Sequence, residues 1–230
     1  MNNTINKNPI SRRNFLRASA VTAVASAIVF NPAVARTAFA ANKSQSAEQD
    51  LAILNYALTL EHLEAAAYRA IVASGLLSGT ALKYFQQFGA HEATHVDTLI
   101  KTINSLGGAP VQAQTSYAFP SFTSQAEVLT YFHTVEDLGA AAYLGQAPRL
   151  LNPGLLTAAV SIHNVEAQHA AVLADLIGVS PSPTFGAPKT MEEVLAIVTP
   201  ILTGSSIPAG MPSTGLGGTS ISGGSNNRVR

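Results

Sequence analysis

The chain has 230 residues, 47% of them hydrophobic and only 11% charged, with 13 Lys+Arg set against 13 Asp+Glu. No surplus of cation exists to neutralise nucleic-acid phosphates, so a nucleic-acid binder is excluded, and the charge density is too low for a typical disordered chain. Without a single cysteine, disulfide frameworks, thiolate zinc sites, iron–sulfur clusters and thiol nucleophiles are excluded as well.

The charge is uneven along the chain. Residues 1–40 contain Lys7, Arg12, Arg13, Arg17 and Arg36 and no acid, which leaves the remainder mildly acidic. Ser11-Arg12-Arg13-Asn14-Phe15-Leu16-Arg17 precedes an apolar run from Ala18 to Phe30. That run falls short of the roughly 20 residues a membrane-spanning helix needs. A basic start, a short apolar stretch and then Ala38-Phe39-Ala40 read as a cleavable export signal over 1–40, with Ala33-Val34-Ala35 as the other cut site. The paired arginines followed by Asn-Phe-Leu resemble the twin-arginine signal. The resemblance implies the Tat export machinery as a partner, export of a protein already folded, and a periplasmic or otherwise extracytoplasmic location.

Helical periodicity without proline runs from Ala47 to about Ser74. A second helical run goes from about Thr80 to Leu106 and stops at Gly107-Gly108. A third opens at Ser124, where Ser124-Gln125-Ala126-Glu127 is a capping box, and ends before Pro148. A fourth opens with Asn152 as N-cap and Pro153 at the first helical position, and ends at Gly178. A shorter fifth spans Thr190 to about Leu202, again with a capping box, Thr190 to Glu193. Residues 204–230 are rich in Gly and Ser and read as a flexible tail, which leaves 41–203 as the folded domain.

Short joints make helices one and two, and three and four, antiparallel neighbours. The link from Gly107 to Thr123 is long for a compact domain. A helix of about 27 residues is roughly 40 Å long, and about seventeen extended residues reach roughly 56 Å. The link is therefore a crossover that returns along the whole bundle. The expected fold is all-α: a four-helix bundle of two antiparallel hairpins joined by a long crossover, plus a short C-terminal helix.

The hairpins repeat one another. Thr59-Leu60-Glu61-His62-Leu63-Glu64-Ala65-Ala66-Ala67-Tyr68 resembles Thr134-Val135-Glu136-Asp137-Leu138-Gly139-Ala140-Ala141-Ala142-Tyr143, and His91-Glu92-Ala93-Thr94-His95 resembles Val165-Glu166-Ala167-Gln168-His169. The two offsets agree within one residue, as for a duplicated unit about a pseudo-twofold axis.

Each helix carries a glutamate on its apolar stripe, near its midpoint. Glu61 shares a face with Leu54, Leu58 and Tyr68; Glu92 with Phe85, Phe88 and Leu99; Glu136 with Leu129, Phe132 and Tyr143; Glu166 with Ile162, Ala170 and Leu173. Four ionised glutamates buried at one level would repel one another and lose several kcal/mol of solvation each. Two divalent metal ions relieve both terms, with imidazole supplying one nitrogen per ion. Glu92-x-x-His95 and Glu166-x-x-His169 place both side chains on one helix face, and Glu61 and Glu136 come from the other two helices. A Glu from each of two helices and a Glu-x-x-His from each of the others is the di-iron or di-manganese carboxylate arrangement.

His133 and His163 each precede a candidate ligand by three residues, and either supports the site as an outer donor or extra ligand, or packs in the core. His62 and His91 point off the stripe, toward the surface. Glu64, one turn after Glu61, is an extra or switching ligand where the second half has Gly139. Tyr68 and Tyr143 hydrogen-bond the ligands, act as redox groups, or simply pack.

The Leu-Glu-His-Leu-Glu-Ala-Ala-Ala-Tyr segment, His-Glu-x-x-His, Val-Glu-Asp-Leu-Gly-Ala-Ala-Ala-Tyr and Val-Glu-x-x-His, within residues 47–178, resemble the ferritin-like domain family, including its exported bacterial and desiccation- or stress-related members. The resemblance implies Glu61, Glu92, Glu136 and Glu166 as carboxylate ligands, His95 and His169 as nitrogen ligands, and the glutamates of the two Glu-x-x-His motifs as bridges. It implies iron, with manganese as the other choice, and an oxidoreductase of the ferroxidase or peroxidase/catalase kind acting on oxygen, peroxide or ferrous iron. Fold alone does not choose among these. The competing expectation is a non-enzymatic stress- or desiccation-related protein whose metal site is structural or lost. A homo-oligomer is compatible with either, and membrane insertion of the mature domain is not expected.

Overall fold

The computed structural model describes residues 32–204, with side chains from 45 onward. The twin-arginine segment and almost all of the 204–230 tail lie outside the described residues. The chain divides into two units, Met1–Lys43 and Ser44–Arg230, and the bundle belongs to the second. Five α-helices and no strand occur among the described residues: α1 (Pro32–Ala73), α2 (Gly79–Ser105), α3 (Gln125–Gln146), α4 (Pro153–Leu176) and α5 (Met191–Thr203). A 3-10 turn, Ala147–Arg149, follows α3.

The first helix begins fifteen residues before the Ala47 expected from periodicity. The reason is local. Pro32 suits a first helical position, and the alanine-rich stretch behind it has high helix propensity and no breaker. Both proposed cut sites, after Ala35 and after Ala40, fall in this helical stretch.

The caps follow the sequence, with one difference. Asn152 accepts hydrogen bonds from the Gly154 and Leu155 amides, and Thr190 and Glu193 form a complete capping box. At Ser124 only half of the expected box forms. Its side chain accepts from the Glu127 amide, but the Glu127 carboxylate accepts from the Thr123 amide instead, at 2.7 Å. Buried Asp50 of α1 adds an anchor that periodicity does not reveal: its carboxylate accepts from the amides of Leu151 and Asn152, at 2.8 and 3.0 Å.

Two apolar clusters show how the helices run. One joins Ala67, Tyr68 and Ile71 of α1 with Phe85 and Phe88 of α2, Val128 and Phe132 of α3 and Leu173 of α4. The other joins Leu54 and Leu58 with Leu99 and Ile103, Tyr143, and Leu155 and Ile162. The late part of α1 thus meets the early part of α2, and the early part of α3 meets the late part of α4, as two antiparallel hairpins require. The crossover leaves beside the second cluster, which Val111 borders, and arrives at the first, which Phe119 and Phe122 border. It is pinned on the way. Asn55 bonds both the Ala109 carbonyl and the Val111 amide, and the Ala118 amide donates to the Ile201 carbonyl at the end of α5. His62 belongs to this seam: half-buried, it lies 3.3 Å from the Val111 carbonyl rather than facing open solvent.

The segment before α5 crosses α3 at Gly145. A β-carbon there would stand 1.8 Å from the Lys189 carbonyl oxygen, and the Lys189 amide donates to Ala141. Gly145→Ala therefore forces backbone apart and should cost about 1–3 kcal/mol, read as a fall in melting temperature; an unchanged melt would show that α5 is not seated as described.

Candidate metal centre

Between the two apolar clusters lies a polar layer. Glu61 and Glu64 enter it from α1, Glu92 and His95 from α2, Glu136 from α3, and Glu166 and His169 from α4. Glu61, Glu92, Glu136 and Glu166 have no exposed surface, and Glu64 and His169 are buried. His95 keeps a 12% exposed edge. The cluster closes because helical periodicity puts each glutamate on the inward stripe and the antiparallel pairing brings the midpoints level.

The contacts follow the pseudo-twofold in part. Nδ1 of His95 lies 3.2 Å from Glu61, 2.9 Å from Glu92 Oε2 and 3.4 Å from Glu166 Oε1. Nδ1 of His169 lies 3.2 Å from Glu136 and 3.1 Å from Glu92 Oε1. The two oxygens of Glu92 are thus divided between the two histidines. Two groups of four ligand-type residues result: Glu61, Glu92, His95 and Glu166, and Glu92, Glu136, Glu166 and His169. Within each group one donor atom per residue lies within 4.8 Å of the others. Glu92 and Glu166 belong to both.

The tyrosines exchange partners. The Tyr143 hydroxyl of α3 donates to Glu61 of α1 at 2.5 Å, and the Tyr68 hydroxyl of α1 donates to Glu136 of α3. Glu64 occupies a space its repeat partner leaves open. A β-carbon at Gly139 would lie 3.0 Å from Glu64 Oε1 and 3.0 Å from Glu166 Oε2, so a side chain there would press on both carboxylates.

The electrostatics are unbalanced. Burial, reinforced by the neighbouring carboxylates, holds Glu61, Glu64, Glu136 and Glu166 well above the usual carboxylate range. Burial opposes ionisation of Glu92 too, but contact with His169 and His95 outweighs it and brings Glu92 down to about 2. His95 is the counterpart: burial disfavours its charge, yet the carboxylates of Glu166, Glu61 and Glu92 push it up to about 12. Glu166 Oε2 has no hydrogen-bond donor, and Glu166 Oε1 and Glu92 Oε1 meet only the histidine contacts above, neither of them a well-formed hydrogen bond. Among the described residues, no lysine or arginine forms an ion pair with any of the five glutamates. Buried carboxylate oxygens without donors are the groups a cation satisfies.

Of the other histidines, His163 takes the packed, hydrogen-bonded alternative, whereas His133 and His91 stand elsewhere than the sequence suggested. His133 pairs with Asp137 one turn on, at 3.5 Å, and does not reach the layer; it sits on the outer flank of α3. His163 lies 2.9 Å from the Ala140 carbonyl, tying α4 to α3 backbone instead of to a carboxylate. His91 is half-buried and not fully exposed: its Nδ1 is 2.9 Å from Nε2 of His169, and burial, followed by the neighbouring His169, lowers its basicity. A sequence signal for His91 existed, since it stands three residues after Phe88 and four before His95, both on the stripe.

Residues 49–179 match the model of the ferritin-like domain family. The chain belongs to the ferritin-like domain family. Residues 9–29 match the twin-arginine translocation signal, so this ferritin-like protein carries the address for export across the cytoplasmic membrane by the Tat machinery. Among the described residues no helix of the ferritin-like bundle is long and apolar enough to cross a membrane. A search of curated proteins finds no match to the chain.

Proposed function

We propose that Glu61, Glu92, His95 and Glu166 hold one divalent cation and Glu92, Glu136, Glu166 and His169 a second. The exported protein uses the pair, iron before manganese, in redox chemistry with oxygen, peroxide or ferrous iron. The observation that carries this reading is the sharing of Glu92 and Glu166 by two otherwise separate ligand groups. Carboxylate oxygens with one imidazole nitrogen per site suit both metals. When bound, such a pair supplies one-electron changes at each ion.

The chain's own residues prepare the place. Tyr68 and Tyr143 orient Glu136 and Glu61. The apolar clusters flank the layer above and below, and His95 keeps its one exposed edge. Beside Tyr143 an apolar cavity of about 40 Å³, lined by Leu54, Ala57, Leu99 and Ile162, has room for a molecule the size of oxygen. The signal is removed after Ala40 or Ala35, leaving the 41–203 domain outside the cytoplasm.

Anaerobic loading with Fe(II), or with Mn(II), followed by oxygen or peroxide tests the reading. Two equivalents should bind, and oxidant should produce a rapid absorption change with the iron form or peroxide loss with the manganese form. Failure of both metals with both oxidants removes the redox function. The complete burial of the four glutamates favours one second reading, in which the cations serve only to hold four helices together; a large metal-dependent rise in melting temperature without turnover would establish it.

A further inference from the structure

We propose that His91 is a positioning residue for the ligand His169, and that it makes the two metal positions inequivalent. The inference rests on the metal-binding reading above and adds to it a difference between the sites. His169 presents Nδ1 to Glu92 and Glu136, and its other nitrogen, Nε2, lies 2.9 Å from Nδ1 of His91. A neutral imidazole has one N–H. With Nδ1 given to a cation, that hydrogen is on Nε2 and needs an acceptor, which His91 Nδ1 supplies. A ligand histidine held in this way keeps its tautomer and ring orientation.

The surroundings reinforce the arrangement. The two imidazole planes are 14° apart, and Phe88 stacks on His169 with ring centroids 4.0 Å apart. Phe88, His91 and Glu92 are all on α2. One helix therefore contributes a shared carboxylate and also fixes the ring of the histidine that comes from α4.

The repeat shows that this support is one-sided. The residue equivalent to His91, one place before the second Glu-x-x-His, is Val165, which has no acceptor. The contacts His95 makes to the carboxylates all run through Nδ1. Loss of an outer hydrogen-bond partner lowers metal affinity by about 10–100-fold, so removing His91 should weaken one position and spare the other.

The experiment is calorimetric titration of the full chain with Mn(II) alone, comparing wild type, His91→Leu and His91→Asn. Asparagine can place its amide oxygen where Nδ1 stands, and leucine offers no acceptor. Wild type should bind two equivalents. His91→Leu should weaken one of the two steps about 10–100-fold and leave the other unchanged, and His91→Asn should restore it. A merely structural role would not be rescued in this way. Unchanged binding in His91→Leu, equal weakening of both steps, or no rescue by asparagine would overturn the inference while leaving the metal centre standing. A wild type that binds no Mn(II) would overturn the metal reading and this inference with it. Should His91→Leu not fold, His91→Gln replaces it, because its oxygen lies off the Nδ1 position and should not rescue.

Discussion

Glu92→Ala should abolish high-affinity binding of both cations, whereas Glu61→Ala or Glu136→Ala should cost one each. Glu92 directs one oxygen to the His95 side and the other to the His169 side, so its removal opens both ligand groups at once. Removing one partner from a buried charged pair costs about 3–5 kcal/mol, roughly a hundred- to several-thousand-fold in affinity. Equilibrium dialysis against Mn(II) should show two equivalents in wild type, one in Glu61→Ala and none in Glu92→Ala at micromolar metal. Retention of one tight equivalent by Glu92→Ala would disprove the sharing. Glu166→Ala should also lose both ions, because Glu166 belongs to both groups. Glu92 lies against two histidines, and its removal should also lower the metal-free melting temperature.

Chelation should destabilise the protein strongly, and more strongly as pH rises. Each ion present at about a thousand times its dissociation constant contributes about 4 kcal/mol. Two ions then contribute about 8 kcal/mol, or roughly 15–30 °C of melting temperature for a domain of this size. Without metal, Glu61, Glu64, Glu136 and Glu166 have raised pKa values. Their contribution is complete below the unfolded carboxylate pKa, near 4.3, and is lost as pH rises through the folded values. His95, pushed up to about 12, adds stability below its unfolded value of about 6.5 that also declines as pH rises. Glu92 acts in the opposite sense, but only as pH falls from about 4.3 toward its folded value of about 2. Metal-free protein should therefore melt higher at pH 5 than at pH 8. Cation binding displaces the protons and strengthens with pH, so the gap between loaded and chelated melts should widen over the same interval. A gap that narrows, or a metal-free melt that rises with pH, would refute the buried-carboxylate account.

The helices and the four glutamates were legible because each helix shows a glutamate on a largely apolar stripe, and stripe position survives folding. Loop lengths gave the crossover for the same reason: reach is a property of the chain. Contacts between helices were less accessible. Tyr68 stands seven residues after Glu61, which suggests a shared face, yet it bonds Glu136. His133 and His163 precede their glutamates by three residues where His95 follows Glu92 by three, so they stand one turn away from the layer and meet Asp137 and backbone. His91, about 100° around the helix from Glu92, looked external because the wheel does not show that α4 lies alongside. The early start of α1 was obscured by composition, since an alanine-rich export segment and an alanine-rich helix read alike.

The exchange between hairpins carries a consequence for how the domain can be divided. Glu61 depends on Tyr143 and Glu136 on Tyr68, and each ligand group borrows one glutamate from the opposite half. A single hairpin thus owns three of the four residues of one coordination set and one of the other, and can complete neither. Two identical half-molecules could complete both by associating, which is what a duplicated and fused gene would preserve. Cutting the crossover should accordingly leave two fragments that regain cation binding through complementation and remain inert apart.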